Sequence, residues 1–433
     1  MFSLPMFYTV YSFMKHISFD RLAFYLLPLI LLFAFATRMY RVTLPKTYYF
    51  DEVYHAVTAK LYAHNNPAGY EWWHDAPEPN TAIEWLHPPV AKLFQAGSMY
   101  IFGENSFGWR FPSVIFGVGV VWMTYVLALQ LTKVRGVALL ASFFSAVDGL
   151  LLAQSRIAMN DIFLVFFMLC ALVFYTRWRK YRKPYQIVVS GILTGLAVAT
   201  KWSGAFLLPI FFIDTFVVVL KEKKFILLLK GVLSWIILPI LIYLLSYSQF
   251  WLQGHAWSQF KELHNQIWYY QTHLNATHAS QSTPLQWMFD LKPVWMYVDY
   301  NTPGKVGNIY NLGNPIVFWG GLITAVWFAV LWLKNRDWKR GFLLLTYLSV
   351  WTPWLFSPRI MFSYHYAPAI PLLCIMLALF LADISRKKRL RFLVVTVPLL
   401  ALAWFIVFYP HLTGIPIPQK IVNRVYFALP SWK

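Results

Sequence analysis

Apolar stretches long enough to cross a bilayer as helices, roughly 17 to 25 residues, recur along the chain between polar connections. They fall near 20–37, 111–131, 136–154, 159–176, 186–201, 203–220, 226–248, 315–333, 341–356, 366–384 and 391–409. The pattern predicts eleven spans, the fifth and sixth parted only by Lys201-Trp202-Ser203-Gly204. Two longer segments break the rhythm. The first, 38–110, holds Asp51-Glu52, the stretch Tyr70-Glu71-Trp72-Trp73-His74-Asp75, then His87-Pro88-Pro89 and a short apolar helix to Phe102. Its parts read as helices lying on a membrane surface. The second, 249–314, is rich in Trp, Tyr, His and Gln, with Pro284, Pro293 and Pro303. No repeat or soluble domain stands out, so residues 1–433 read as one all-α integral membrane domain. Within it, 20–248 form the amino-terminal catalytic helices with 38–110 as first outer loop. Residues 249–314 form a second outer loop, and 315–409 a carboxy-terminal four-helix region.

The polar connections carry an orientation. Starting from Lys15 and Arg21, every second connection is basic: Lys133 and Arg135; Arg177 to Lys183; Lys221 to Lys230; Lys334 to Arg340; Arg386 to Arg391. Cytoplasmic loops concentrate Lys and Arg, so the amino terminus and these connections are expected in the cytoplasm. The two long segments then face outward. Composition agrees: 59% hydrophobic and 12% charged excludes an ordinary soluble domain. A net charge of +20 would suggest nucleic acid, but its confinement to connections between apolar runs argues for topology and against a nucleic-acid partner. Cys170 and Cys374 lie inside apolar runs and read as small hydrophobes. The first run is followed by Arg38-Met39-Tyr40-Arg41 without a small-residue cleavage site, so it reads as an anchor and not as a signal peptide.

With that topology, Asp51, Glu52, His87, Arg110, Arg156, Asp161, Lys201, Arg359 and His365 all fall at or near the outer face. Gathering both charge signs on one face suggests a site. Acidic residues are scarce, 17 in 433, yet Asp51 and Glu52 are adjacent. They admit two readings, the start of a surface helix or a base serving a substrate that arrives through lipid. Asn160-Asp161 suits a helix cap, Arg110 and Arg156 suit headgroup contacts, and His87-Pro88-Pro89 suits a turn. Asp148 lies inside the third span, where a carboxylate needs a partner. Eight residues before Arg156, it is about 12 Å away along a helix and suits the same cavity mouth. Asp214, in the sixth span, suits packing or an interhelical hydrogen bond. There is no Gly-rich phosphate loop, zinc-ligand spacing or nucleophile elbow in the chain. Asp51 and His55 share a helix face at i, i+4, which leaves a divalent metal open but weakly signalled. Without a nucleotide loop, an activated donor is expected to carry its leaving group on a lipid.

These residues, in order, resemble the protein O-mannosyltransferases, polytopic enzymes of the C-type glycosyltransferase fold with about 11 transmembrane helices and outer-face surface helices. The resemblance rests on Phe50-Asp51-Glu52; His87-Pro88-Pro89-Val90-Ala91-Lys92; Trp109-Arg110-Phe111-Pro112; and Asp148 with Gln154-Ser155-Arg156-Ile157 and Asp161. It continues through Thr200-Lys201-Trp202-Ser203-Gly204, Leu291-Lys292-Pro293-Val294-Trp295-Met296-Tyr297, Leu312-Gly313-Asn314-Pro315 and Ser363-Tyr364-His365-Tyr366-Ala367-Pro368. The resemblance implies mannose transfer from a polyprenyl-phosphate donor to Ser or Thr of a secreted or membrane protein. It implies Asp51 as general base, with Glu52 positioning acceptor or sugar and Arg110 at the lipid phosphate. Arg156, Asp161, His87, Lys201, Arg359 and His365 follow as phosphate or sugar ligands, and Asp148 as a supporting residue. Val90-Ala91 stands where the family more often has Leu-Gly, and the second outer segment is too short for the β-trefoil of eukaryotic members. The plasma membrane of a prokaryote is therefore expected, and the choice between dolichol and a shorter polyprenol stays open.

Two rival readings remain. The same fold and donor chemistry serve lipid A or cell-wall glycan acceptors in other enzymes. A lipid-linked sugar transporter would instead need charges along a path through the bilayer and an inverted repeat, and the sequence has neither.

Overall fold

Each of the eleven apolar stretches is helical in the computed structural model, which describes residues 19–274, 276–427 and 429–432. Lys15, counted among the orienting charges, lies outside the described residues. Helix α1 (Phe19–Met39) leads into the first long segment, where α2 (Glu52–Ala63) and α3 (Val90–Phe102) lie. Then come α4 (Ser106–Thr132), α5 (Arg135–Ala146), α6 (Gly149–Gln154), α7 (Asp161–Tyr181) and α8 (Pro184–Val198). Next, a 3-10 turn (Trp202–Leu207) opens α9 (Leu208–Glu222), and α10 (Ile226–Ser246) follows. The second long segment carries α11 (Trp257–His273) and the strands β1 (Val294–Asp299) and β2 (Lys305–Asn311). The chain closes with α12 (Pro315–Asn335), α13 (Trp338–Trp351), α14 (Ile370–Ile384), α15 (Leu393–Thr413) and β3 (Ile417–Pro418). Among the described residues, seven helical stretches are long and apolar enough to cross a membrane by themselves. Shorter apolar helices cover Tyr25–Met39, Arg135–Ala146 and Pro184–Val198.

Local chemistry sets the helix ends. Asn105 caps α4, accepting from the amides of Phe107 (3.0 Å) and Gly108 (3.1 Å). At the other end of the bundle four basic residues, Lys133, Arg182, Lys223 and Arg336, adopt positive φ just past helix C-termini. A cation there also complements the negative end of the helix dipole. The same end holds a polar knot on Asp214, which accepts from Tyr175 Oη (2.7 Å) and Trp338 Nε1 (2.7 Å) and pairs with Arg179 Nε (2.5 Å). The interhelical role expected of Asp214 is the one it has.

Two features differ from the sequence expectation. The third stretch is not one helix: it breaks at Val147-Asp148. Asp148 caps α6 by accepting from Leu151 N (2.9 Å), and its other oxygen accepts from Asn314 N (3.0 Å). Asn314 in turn donates to Val147 O and Ala401 O, both at 3.0 Å. The carboxylate is thus partnered by backbone amides, and it is fully buried, so it does not share a cavity mouth with Arg156. Second, the outer part is not wholly helical. β1 and β2 form an antiparallel hairpin (Trp295 opposite Tyr310, Val298 opposite Asn308), bulged between Trp295 and Tyr297, and β3 adds to its edge. Gly304, at φ +70°, makes the turn, a conformation that costs glycine little.

Candidate active site

The segment that precedes α2 places Asp51 and Glu52 in opposite environments. Successive residues entering a helix point about 100° apart, so only one of two neighbours can face a given wall. Glu52 turns inward and is fully buried. Its carboxylate meets Arg110 in a two-pronged pair, Nε to Oε1 at 2.8 Å and Nη2 to Oε2 at 2.7 Å. It also accepts from Ala158 N (3.1 Å) and Tyr49 N (3.3 Å). Arg110 spends its remaining N–H groups on the carbonyls of Val42, Pro45 and Thr47 at 2.7–3.0 Å. Asp51 faces the other way. It occupies the N-cap position of α2 yet makes no capping hydrogen bond, and its half-buried carboxylate has no hydrogen-bond partner among the described residues. Loss of hydration pushes its pKa up to about 7, helped by the negative charges of Asp161 and Glu84 and opposed by Lys201 and Arg359.

Lys201 and Arg359, the two cations whose charges act on Asp51, line a cleft of about 240 Å³ whose walls also include His87, Trp268, Trp354 and His365. Lys201 Nζ donates to Asp161 Oδ1 (2.9 Å) and lies 5.5 Å from the ring centroid of Tyr364. The Tyr364 ring also meets Phe50, the residue before Asp51, edge-on at 6.2 Å, which ties this cation to the carboxylate's own segment. Arg359 donates to Gln271 Oε1 of α11, and its Nε is buried without a partner among the described residues. Burial lowers its pKa from the ordinary arginine value. A buried guanidinium with an unused N–H is costly unless an acceptor arrives, and phosphate oxygens match its geometry. Trp354 stands edge-on to His365 at 4.4 Å. A larger apolar groove, about 450 Å³, runs between Leu29, Phe33, Leu139, Phe143 and Leu402. It lies between spans, without a polar side chain, and suits lipid tails better than chemistry.

A buried network under the cleft escaped the sequence reading. Lys92, fully buried in α3, donates to Glu84 O (3.0 Å), His87 O (2.9 Å) and the Glu84 carboxylate. The other Glu84 oxygen meets His87 Nδ1 at 2.7 Å. Although burial alone would raise it, the Lys92 ammonium above all, with the hydrogen bond from His87, holds Glu84 well below the usual carboxylate range. The signal was present: a lysine inside an apolar run demands a carboxylate, and Glu84 lies eight residues before it, in the loop that leads into α3. His55 Nδ1 stands 3.7 Å from Glu84 Oε2, and among the described residues no hydrogen bond joins it to Asp51. Among the described residues no group of three or more His, Cys, Asp or Glu is arranged to hold a metal.

The structure therefore gathers Asp51, His87, Asp161, Lys201, Arg359 and His365, and separates four expected members. Glu52 and Arg110 satisfy each other inside the protein. Asp148 caps a helix. Arg156 is buried with Nη1 on the carbonyls of Thr37 (3.2 Å), Arg38 (2.7 Å) and Tyr40 (2.8 Å), clamping the end of α1. All four lack surface for a substrate to touch, because burying a charge in this bundle requires its hydrogen bonds to be filled from within.

Residues 28–253 match the family model for dolichyl-phosphate-mannose-protein mannosyltransferase, and residues 256–432 match that for the C-terminal four TMM region of protein-O-mannosyltransferase. A polyprenol-phosphate-mannose–protein mannosyltransferase from Mycolicibacterium smegmatis is 26% identical over 89% of this chain and 87% of its own. Among solved structures, the S. cerevisiae protein O-mannosyltransferase Pmt1-Pmt2 complex bound to the sugar donor superposes with a TM-score of 0.78, at 14% identity, over 93% of this chain and 91% of that one. ArnT from Cupriavidus metallidurans bound to undecaprenyl phosphate gives 0.57, at 14% identity, over 96% and 74%. The fold is that of the C-type membrane glycosyltransferases, and the protein is multi-pass.

Proposed function

The chain belongs to the dolichyl-phosphate-mannose-protein mannosyltransferase family, and from that premise we propose that Asp51 is the base in transfer of mannose from a polyprenyl phosphate to Ser or Thr of a protein. The observation that carries this reading is the Asp51 carboxylate, without a hydrogen-bond partner among the described residues and within electrostatic reach of Lys201 and Arg359 in the cleft wall. The acceptor oxygen attacks the anomeric carbon as its bond to the donor phosphate breaks, inverting that centre. The polyprenyl phosphate departs with the electron pair, and Asp51 takes the hydroxyl proton as it becomes acidic in the transition state. Arg359 and Lys201 neutralise the charge gathering on the phosphate, while Asp161 holds Lys201 in place. Glu52 and Arg110 do not touch substrate; they fix the segment that aims Asp51. The mycobacterial-type relatives support a polyprenol donor and a prokaryotic plasma membrane. The basic connections at the end of the bundle opposite the cleft support an outward-facing site with a cytoplasmic amino terminus.

The test is transfer of labelled mannose from polyprenyl-phosphate mannose to a Ser/Thr-rich peptide by the purified protein. No labelled peptide, from folded protein supplied with intact donor, would refute the reading. The same assay carries a pH prediction. A base with a pKa near 7 is protonated and inactive below it. Log(kcat/KM) is therefore expected to rise with unit slope up to about pH 7 and to level off above. A flat profile between pH 5 and 8 would remove Asp51 as the titrating base.

Arg359→Ala is expected to lower kcat/KM for the donor by about 10- to 100-fold, the size of one charged hydrogen bond, chiefly through donor KM. The acceptor KM should stay within about twofold. Arg359→Lys should recover part of the loss, since it restores charge without the planar fork. An Arg359→Ala enzyme with unchanged donor KM would place the phosphate elsewhere.

A further inference from the structure

We infer that His87 Nε2 accepts a hydrogen bond from a hydroxyl of the donor sugar, the ring being locked in that role by the Glu84–Lys92 pair beneath it. This deepens the mannosyl-transfer reading and rests on it. Lys92 Nζ has three N–H groups and all three are spent on the turn that presents His87: the carbonyls of Glu84 and His87 and the Glu84 carboxylate. The turn is thereby clamped, and Pro88-Pro89 after it adds stiffness. The other Glu84 oxygen, 2.7 Å from Nδ1, belongs to a carboxylate that Lys92 keeps ionised. Such an oxygen can only accept, so Nδ1 carries the hydrogen. Burial holds the ring's pKa below the ordinary histidine value; Glu84 pulls it back up and Lys201 and Lys92 push it further down. His55, whose ring centroid stands 6.0 Å from that of His87, is likewise pushed down by loss of hydration, to about 3. The His87 ring is then neutral with one hydrogen, and that hydrogen is on Nδ1. Nε2 is left with a lone pair.

That lone pair has no protein partner among the described residues, and His87 lines the cleft. Phosphate oxygens, themselves acceptors, are repelled by it, so His87 does not join Arg359 and Lys201 at the leaving group. A hydroxyl donates to it. The indoles of Trp268 and Trp354 in the same walls offer apolar faces to a sugar's C–H surface. Glu84 and Lys92 are positioning residues, and His87 reads the hexose.

The experiment pairs polyprenyl-phosphate mannose and its 2-, 3-, 4- and 6-deoxy analogues with wild type and His87→Phe, which keeps the ring and loses both nitrogens. Wild type is expected to lose about tenfold or more in kcat/KM for one analogue, the worth of one hydrogen bond. In His87→Phe that analogue and mannose itself should differ by less than about twofold. A purely structural role would lower all donors together and keep the ratio between them. Should His87→Phe fail to fold, His87→Ala takes its place with the same ratios. Unchanged ratios in a folded variant overturn the inference. So does a rise confined to the acceptor-peptide KM, which would put the hydroxyl on the acceptor. No transfer by wild type from any donor overturns the proposed function and this inference together.

Discussion

Asp51→Asn is expected to lower kcat by about 10²- to 10⁴-fold, the range supplied by a positioned general base, with the fold intact. Asparagine has the same shape, and Asp51 makes no capping bond and no side-chain hydrogen bond among the described residues, so thermal unfolding should shift little. Removing its negative charge leaves Lys201 and Arg359 less neutralised, so the donor should bind as well or more tightly. Single-turnover transfer beside donor binding measures both. Activity within about tenfold of wild type would sink the assignment. The base would then be sought at Asp161 or Glu84, whose charges Asp51 feels but whose oxygens are already engaged by Lys201, Lys92 and His87.

Glu52→Gln is expected to act differently although it is the next residue. It leaves the Arg110 guanidinium buried with no counter-charge, and breaking such a pair costs about 3–5 kcal/mol. That is a large part of a domain's net stability. The purified variant should unfold at markedly lower temperature, and Arg110→Leu should do the same by stranding Glu52. Replacing both together, Glu52→Leu with Arg110→Leu, should recover part of the loss, because no charge is then left alone. Should Glu52→Gln keep wild-type thermal stability while losing transfer, Glu52 would have to touch substrate after all, and the division between the two neighbours would fail.

That division shows where a linear reading stops. Asp51 and Glu52 are chemically alike, adjacent and equally scarce in an apolar chain, and their resemblance to a family motif treats them as a unit. Which one is spent on structure is settled by Arg110, 58 positions away, and by Ala158, 106 away. Arg110 and Arg359 exchange places for the same reason. Arg110 finds Glu52 and three carbonyls, whereas Arg359 finds only Gln271 and keeps an unused N–H. Glu84 belongs to no motif along the chain, and only the fold sets it against Lys92 and His87. Asp148, rightly marked as costly, is satisfied by the amides of Leu151 and Asn314, which no spacing along the chain displays.

What the sequence determined alone was the partition of the chain into apolar and polar segments, its alternation of basic connections, and the expectation of Asp51, Glu52, His87, Arg110, Arg156, Asp161, Lys201, Arg359 and His365 at one face. These follow from transfer free energy, a property of each residue and its near neighbours. What only the tertiary structure decided was which charges are satisfied from within and which remain open to a substrate. It also decided that a hairpin, with Gly304 at its turn, lies among the outer helices. Hydrogen-bond satisfaction depends on groups brought together from distant parts of the chain, and in a low-dielectric interior that accounting separates buried supports from reactive groups.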